Sequence, residues 1–173
     1  AARSSVSEFM TTQNGMRLAA SVGGTLTGKG GDFLIIDDPI KAEDAPSDVV
    51  RNGANEWYDS TAYPRLNDKA EGGVLIIMQR LHENDLVGHV LKQQGWEVVR
   101  LSAIAEVDET HRYETVFGHY EVIRRVGEAL HPARESIETL LQIKADVGEL
   151  NFAGQYQQDP APRGGGMLKE SWI

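Results

Sequence analysis

The chain of 173 residues contains no cysteine. That removes disulfides, thiolate zinc sites and cysteine nucleophiles, and leaves oxygen and imidazole as the ligands for any metal. Oxygen donors point towards magnesium. The sequence also lacks any apolar run near the ~18 residues of a membrane span. Its start, Ala1-Ala2-Arg3-Ser4-Ser5 followed by Val6, Ser7 and Glu8, is not the apolar segment of a secretion signal. A cytosolic protein without membrane contact is expected. Positive charge is in deficit, with 17 Lys and Arg against 26 Asp and Glu and a formal net charge of −9. Broad adhesion to DNA or anionic lipid is thereby opposed, because phosphate neutralisation dominates such affinity, although a localised basic contact remains compatible. No initiator Met opens the chain and Trp172-Ile173 follows a glycine run, so a piece of a longer protein is expected.

What is present is enough for a core: 40% of the residues are hydrophobic, and the length suits one domain with room for an appendage. Two extended segments between Val6 and Val22 flank Asn14-Gly15, a dipeptide that accepts the positive φ angles of a two-residue hairpin turn. Phe33-Leu34-Ile35-Ile36 and "GVLIIM", Gly73 to Met78, are short continuous apolar runs of the kind that suits strands buried on both faces of a parallel sheet. A helix from Ser47 through Tyr58 lies between them, which implies a right-handed βαβ crossover. A second helix is expected over Glu83 to Gln94, and a third extended segment over Trp96 to Ile104. Residues 106 to 127 read as an inserted hairpin or loop turning at Phe117-Gly118-His119, with helices following at Glu135 to Val147 and Leu150 to Gln158. Pro160, Pro162 and Gly164-Gly165-Gly166 read as a linker.

Two patterns in "GGTLTGKGGDFLIIDD", Gly23 to Asp38, bear on chemistry. Gly23 to Lys29 fits the G-x-x-x-x-G-K part of a phosphate-binding loop. Such a loop works by joining a strand to a helix N-terminus, so that backbone N–H groups and the helix dipole face the phosphates. Here it precedes a strand, and Gly30 stands where a magnesium-ligating hydroxyl is needed. A turn entering a strand is the better reading. The second pattern is the acid pair. Asp37 and Asp38 end an apolar strand, at the edge of a parallel sheet where α/β folds bind ligands. Asp37 can hold Mg²⁺ and Asp38 can orient or deprotonate water; equally, two acids can simply end a strand before Pro39. The next strand also ends in polar groups, Gln79 and Arg80, which suit sensing and meeting phosphate charge. Arg80 pairing with a nearby acid and Asn84 or Asp85 capping a helix are the plainer alternatives. His82 and His89 lie roughly 10 Å apart on a helix, too far to share one ion.

The segments "GGTLTGKGGDFLIIDDPIK", "WYDSTAYPRL", "GGVLIIMQRLHENDLVGHVL", "GEALHPAR" and "NFAGQYQQDPAPRGGGMLKESW", in this order and spacing, resemble the large terminase subunit of tailed bacteriophages and prophages. The resemblance covers nearly the whole chain. It implies an α/β fold: part of a P-loop NTPase-like parallel sheet with flanking helices, plus the N-terminal hairpin. Residues 1 to 158 would be the C-terminal part of the ATPase motor and 159 to 173 a linker towards a nuclease domain. It implies ATP and Mg²⁺ as cofactors, Asp37 as the magnesium position, and Asp38 as the catalytic carboxylate, where related ATPases commonly carry Glu. Gln79 and Arg80 fall on the motif that couples hydrolysis to movement. Double-stranded DNA, the small terminase subunit, the portal and procapsid, and further copies of the motor are the implied partners, in the cytoplasm of a bacterial host. The family's phosphate-binding loop belongs upstream of the hairpin and its nuclease acids downstream of Trp172. The isolated chain is therefore expected to hydrolyse ATP negligibly. Competing expectations are a noncatalytic prophage remnant or assembly module, and a magnesium nuclease using Asp37 and Asp38.

Overall fold

A computed structural model describes residues 7–24, 26 and 28–160, and every structural statement below concerns these residues. They fall into two compact units, one within Ala1–Met78 and Asn84–Lys92, the other within Gln79–Glu83 and Gln93–Ile173. The architecture is mixed α/β: three two-stranded sheets and four α-helices. None of its helices is long and apolar enough to cross a membrane. The expected linker lies mostly outside the described residues.

The first unit begins with an antiparallel hairpin, β1 (Glu8–Met10) and β2 (Met16–Leu18), with Phe9 opposite Arg17. Its connection is a five-residue loop rather than the expected two-residue turn. Of Asn14 and Gly15, only Asn14 takes a positive φ, 65°. Thr11 closes the loop from the other side: its N–H donates to Gly15 O at 2.8 Å and its hydroxyl accepts from Gly15 N at 2.9 Å. A side chain thus supplies what a tighter turn obtains from backbone alone.

The centre of this unit is the parallel pair β3 (Phe33–Asp37) and β4 (Gly73–Ile77), in the register Phe33 with Gly73 through Asp37 with Ile77. The long crossover carries α1 (Asp48–Trp57), which runs on into a π-helical turn, Tyr58–Ala62, and a 3₁₀ turn, Tyr63–Arg65. The helix starts where it does because the Ser47 hydroxyl accepts from Val50 N and Asp48 lies in the first turn, where the helix dipole favours a negative charge. Arg51 is buried, and its guanidinium donates to Ala45 O and to the Asp48 carboxylate. It thereby secures the loop that leads from β3 into the helix. Burial pushes the Tyr58 hydroxyl up to about 12, with Tyr63 and Asp59 adding to the effect; the phenol stays neutral in the core.

The expectation that these strands are buried on both faces fails. Leu34, Ile36, Val74 and Ile76 alternate onto the inner face, with Ile36 only 4% exposed, whereas Phe33, Ile35, Leu75 and Ile77 point outward and are 76%, 65%, 53% and 51% exposed. A continuous apolar run contains no alternation from which the open face could be read. The second helix is also shorter than expected. α2 covers Leu86–Val90, because the fully buried Asp85 caps it by accepting from Gly88 N at 2.8 Å, and the chain leaves through Gly95 with φ 94°.

In the second unit, residues 96–103 form no strand, contrary to the expected third strand; only Ile104 makes an isolated antiparallel bridge, to Ala129. Backbone partners come instead from elsewhere: Ala103 N donates to Tyr156 O at 2.7 Å, and Leu130 N to Ala103 O at 2.8 Å. The hairpin is real, with β5 (Glu109–Thr115) and β6 (Gly118–Arg124) turning at Val116-Phe117. Gly118 takes φ 130° and opens β6 rather than forming the middle of the turn. Its base is tied down by Arg124, which is 5% exposed and donates to Glu109 Oε2 at 2.6 Å and to Ser102 O at 2.8 Å. The helices α3 (Ile137–Val147) and α4 (Glu149–Gln155) are separated by Gly148 at φ 82°. They enclose a core of Ala129, Leu140 and Phe152, against which Ile104, Ile143 and Tyr156 pack; the Phe152 and Tyr156 rings stack at 5.0 Å.

Two outcomes follow from this packing. Leu140→Ala removes a side chain that is 1% exposed and should destabilise by about 3 kcal/mol, whereas Val116→Ser at the open hairpin tip should change stability by less than about 0.5 kcal/mol, both read from urea unfolding. The second concerns pH. Burial pushes the Glu109 carboxyl up, but its hydrogen bonds and charge interactions with Arg124 and His111 outweigh this and hold it below the ordinary value. Since the folded state has the lower pKa, this contribution is complete above about pH 5 and disappears as pH falls through the folded value. Glu109→Gln should therefore flatten the acid-side fall in melting temperature; an unchanged acid limb would refute the assignment.

Candidate functional site

The glycine-rich segment runs directly into β3 with no intervening helix. Lys29 Nζ lies 3.0 Å from Glu8 Oε1, so its charge is already engaged by the hairpin. Gly30 and Gly31 run close against the 65–67 backbone: a Cβ at position 30 would fall 3.1 Å from Arg65 O, and Gly31 N donates to Arg65 O at 3.0 Å. Geometry therefore favours a turn that enters a strand. Thr25 and Thr27 lie outside the described residues.

The acid pair is placed by the parallel register. Asp37 is the last residue of β3, opposite Ile77, and shares the outward face with Phe33 and Ile35; its carboxylate is exposed. The ladder then extends one step, through Asp38 N donating to Ile77 O at 3.0 Å. Asp38 is exposed as well, and it takes φ 40°, a conformation uncommon outside glycine. Its successor does not account for this, because the ring of Pro39 favours an extended conformation with negative φ for the residue before it. Two exposed carboxylates thus follow one another in the chain at the carboxyl edge of a parallel pair. They are chemically suited to a hydrated divalent cation. Among the described residues, no three His, Asp or Glu side chains gather closely enough to form a ready-made metal cage.

Gln79 and Arg80 follow β4 in the chain and belong to the second unit. Gln79 is exposed and Arg80 half-buried. The backbone of Arg80 is held from two sides: Arg80 N donates to Gln158 Oε1 at 3.0 Å, and its carbonyl packs against Gly154, where a Cβ would approach to 2.7 Å. His89 does not act with His82; its Nε2 lies 2.9 Å from Asp59 Oδ2.

The residues that sequence reasoning passed over are the glutamines of "QYQQD". Gln157 is buried, and its amide completes a two-way exchange with the backbone of Ile104, accepting from the N–H and donating to the C=O, each at 2.9 Å. It thereby imitates one rung of a β-ladder. Gln158 holds Arg80 with its oxygen and Gln155 O with its nitrogen. The signal available beforehand was weak: consecutive glutamines after a helix have side-chain amides able to serve backbone groups in both directions, but their targets lie ~50 to ~80 residues away, beyond any local rule.

The strain at Asp38 has a measurable consequence. Asp38→Gly should be at least as stable as the unsubstituted chain, because glycine enters positive φ freely, while Asp38→Val should lose about 1–2 kcal/mol in urea unfolding. A stable valine variant would show that the backbone here is not constrained. No family model, curated protein or solved structure matches the chain.

Proposed function

We propose that this chain is part of the ATP-driven DNA translocase of a phage terminase large subunit. In this reading it contributes the magnesium-binding acidic strand, through Asp37 and Asp38, and the coupling residues Gln79 and Arg80. The observation that carries the proposal is the parallel register of β3 and β4, which leaves two adjacent exposed carboxylates at the carboxyl edge of the pair. Edges of this kind are where open α/β sheets hold nucleotide phosphates and their metal. Asp37 would hold Mg²⁺ largely through water, and Asp38 would orient the attacking water. The shorter reach of Asp compared with Glu favours positioning over direct proton abstraction. Arg80 would meet phosphate charge, and Gln79 would sense its loss. Phosphoryl transfer rests mostly on positioning and charge stabilisation of this kind. ATP, Mg²⁺ and double-stranded DNA are thus the ligands proposed, with the small subunit, the portal and further motor copies as partners in a bacterial cytoplasm.

A noncatalytic assembly module is favoured by a different observation, the outward apolar face formed by Phe33, Ile35, Leu75 and Ile77. Such a module needs no metal at Asp37, whereas the motor reading requires one.

Magnesium titration followed by amide chemical shifts separates these readings. Millimolar Mg²⁺ should move the Asp37 and Asp38 resonances, and Asp37→Asn should weaken the response at least tenfold. Shifts spread evenly over the surface acids, or none at this edge, would remove the basis for the motor assignment. Because the Gly23–Lys29 segment leads into a strand instead of a helix, the purified 173-residue chain should itself turn over ATP negligibly. Magnesium-dependent hydrolysis by that chain, abolished by Asp37→Ala, would overturn this expectation.

A further inference from the structure

Three non-glycine residues take positive φ among the described residues: Asn14, Asp38 and Gln158. Asn14 turns a hairpin, a position that asparagine tolerates. Asp38 belongs to the candidate site. Gln158, at φ 57°, has neither excuse, since glycine or asparagine normally occupies a left-handed position after a helix. Strained residues persist where the surroundings over-determine them, and they cluster at functional sites.

The side chain explains the choice of glutamine. Gln158 Oε1 accepts from Arg80 N at 3.0 Å, and Gln158 Nε2 donates to Gln155 O at 2.9 Å. Glycine would relieve the backbone and lose both bonds. The other contact on the same corner is equally specific: Gly154 approaches Arg80 O so closely that an added Cβ would lie 2.7 Å from it. The backbone of Arg80 is thus met twice, by a hydrogen bond to its N–H from Gln158, just beyond α4, and by a close approach to its C=O from Gly154 within α4. Phe152 of α4 lies in the unit core, and Gln157 bonds the Ile104 backbone. The turn after α4 therefore holds the backbone at residue 80, in a segment outside regular secondary structure.

We infer that Gln158 is a positioning residue: it sets the backbone at Arg80 so that Gln79 and Arg80 present a preformed corner to a polyphosphate anion, with Gly154 admitting the helix end close enough to do so. The ligand part of this inference rests on the function proposed above; the clasp itself rests on the geometry alone.

The test uses the full 173-residue chain, with amide hydrogen exchange read residue by residue. In Gln158→Gly the backbone can keep its course, because glycine accepts φ 57°, yet the Arg80 amide should exchange at least about tenfold faster for want of its acceptor. Gln158→Glu retains an oxygen acceptor and should keep Arg80 protected. The Ile104 amide, held by Gln157, serves as the internal reference and should be unaffected in both variants. Unchanged protection at Arg80 in the glycine variant overturns the inference. So does equal loss at Ile104, which would make Gln158 a general support of the fold.

A second arm adds magnesium and inorganic tripolyphosphate. Gln79 and Arg80 resonances should shift in the unsubstituted chain and in Gln158→Glu, with about tenfold weaker affinity in Gln158→Gly. If tripolyphosphate shifts nothing in the unsubstituted chain, the phosphate reading of the site is overturned, while the exchange results still decide the clasp.

Discussion

The parallel ladder between β3 and β4 is the constraint on which the candidate site depends. Side chains alternate across a strand, so a slip of one residue would carry every side chain of β3 to the opposite face. In the observed register Ile36 is buried opposite Ile76, and Asp37 is turned outward with Phe33 and Ile35. Slipped by one, the ladder would bury the carboxylate and expose the isoleucine. The hydrophobic effect on a single residue thus fixes which way the acid points: burying Ile36 stabilises by roughly 1.5–3 kcal/mol, and a desolvated carboxylate would cost several kcal/mol more. Position of the acid follows from core packing before any metal is considered.

That dependence also explains what the sequence could and could not reveal. Helix α1 was legible to within a residue of its start, because that start is written locally: Ser47, expected as the beginning, is its N-cap and Asp48 its first residue. The two central strands were legible as elements, for "FLIID" and "GVLII" are apolar runs of strand length ending in polar residues. Their exposure was not, because four consecutive apolar residues look the same whichever face is covered. The same limit applied to residues 96–103, which have apolar residues suitable for a strand but whose backbone partners, at Ala103, are contributed by Tyr156 and Leu130. A strand is defined by its partner, and partners distant in sequence leave no local trace. The acid pair itself was visible; the left-handed backbone beneath Asp38 was not, although Pro39 gave a reason to doubt a helical conformation there.

The C-terminal glutamines illustrate a different kind of specification. Residues 100–106 have little regular structure, yet they are held with the economy of a sheet, because a glutamine amide offers a donor and an acceptor at about the spacing of a peptide group. Gln157 uses both on Ile104, and Arg100 returns the support by donating to Gln157 O at 3.0 Å. Replacing a ladder by side-chain amides keeps the buried backbone satisfied, as burial demands, without requiring a strand at positions 96–103. It also mixes two kinds of support: the Gln157 amide works beside backbone bonds joining Ala103 and Ala105 to Tyr156, Glu128 and Leu130. The second unit is consequently organised around a few polar side chains, Arg124 at the hairpin and Gln157 beyond the helix end, together with one small apolar core.

Backbone strain at Asp38 and at Gln158 has a common setting. Each residue's backbone or side chain is bonded by groups of the protein itself: Asp38 N to Ile77 O, and the Gln158 amide to Arg80 N and Gln155 O. The backbone course at both positions is thus tied to neighbouring segments of the chain. Because Asp37 and Asp38 are both exposed, a cation at that edge would keep most of its water. In the proposed motor reading that cation would be Mg²⁺, which dehydrates reluctantly and is commonly held through one or two carboxylates with several waters retained, rather than Ca²⁺, which takes six to eight oxygen ligands.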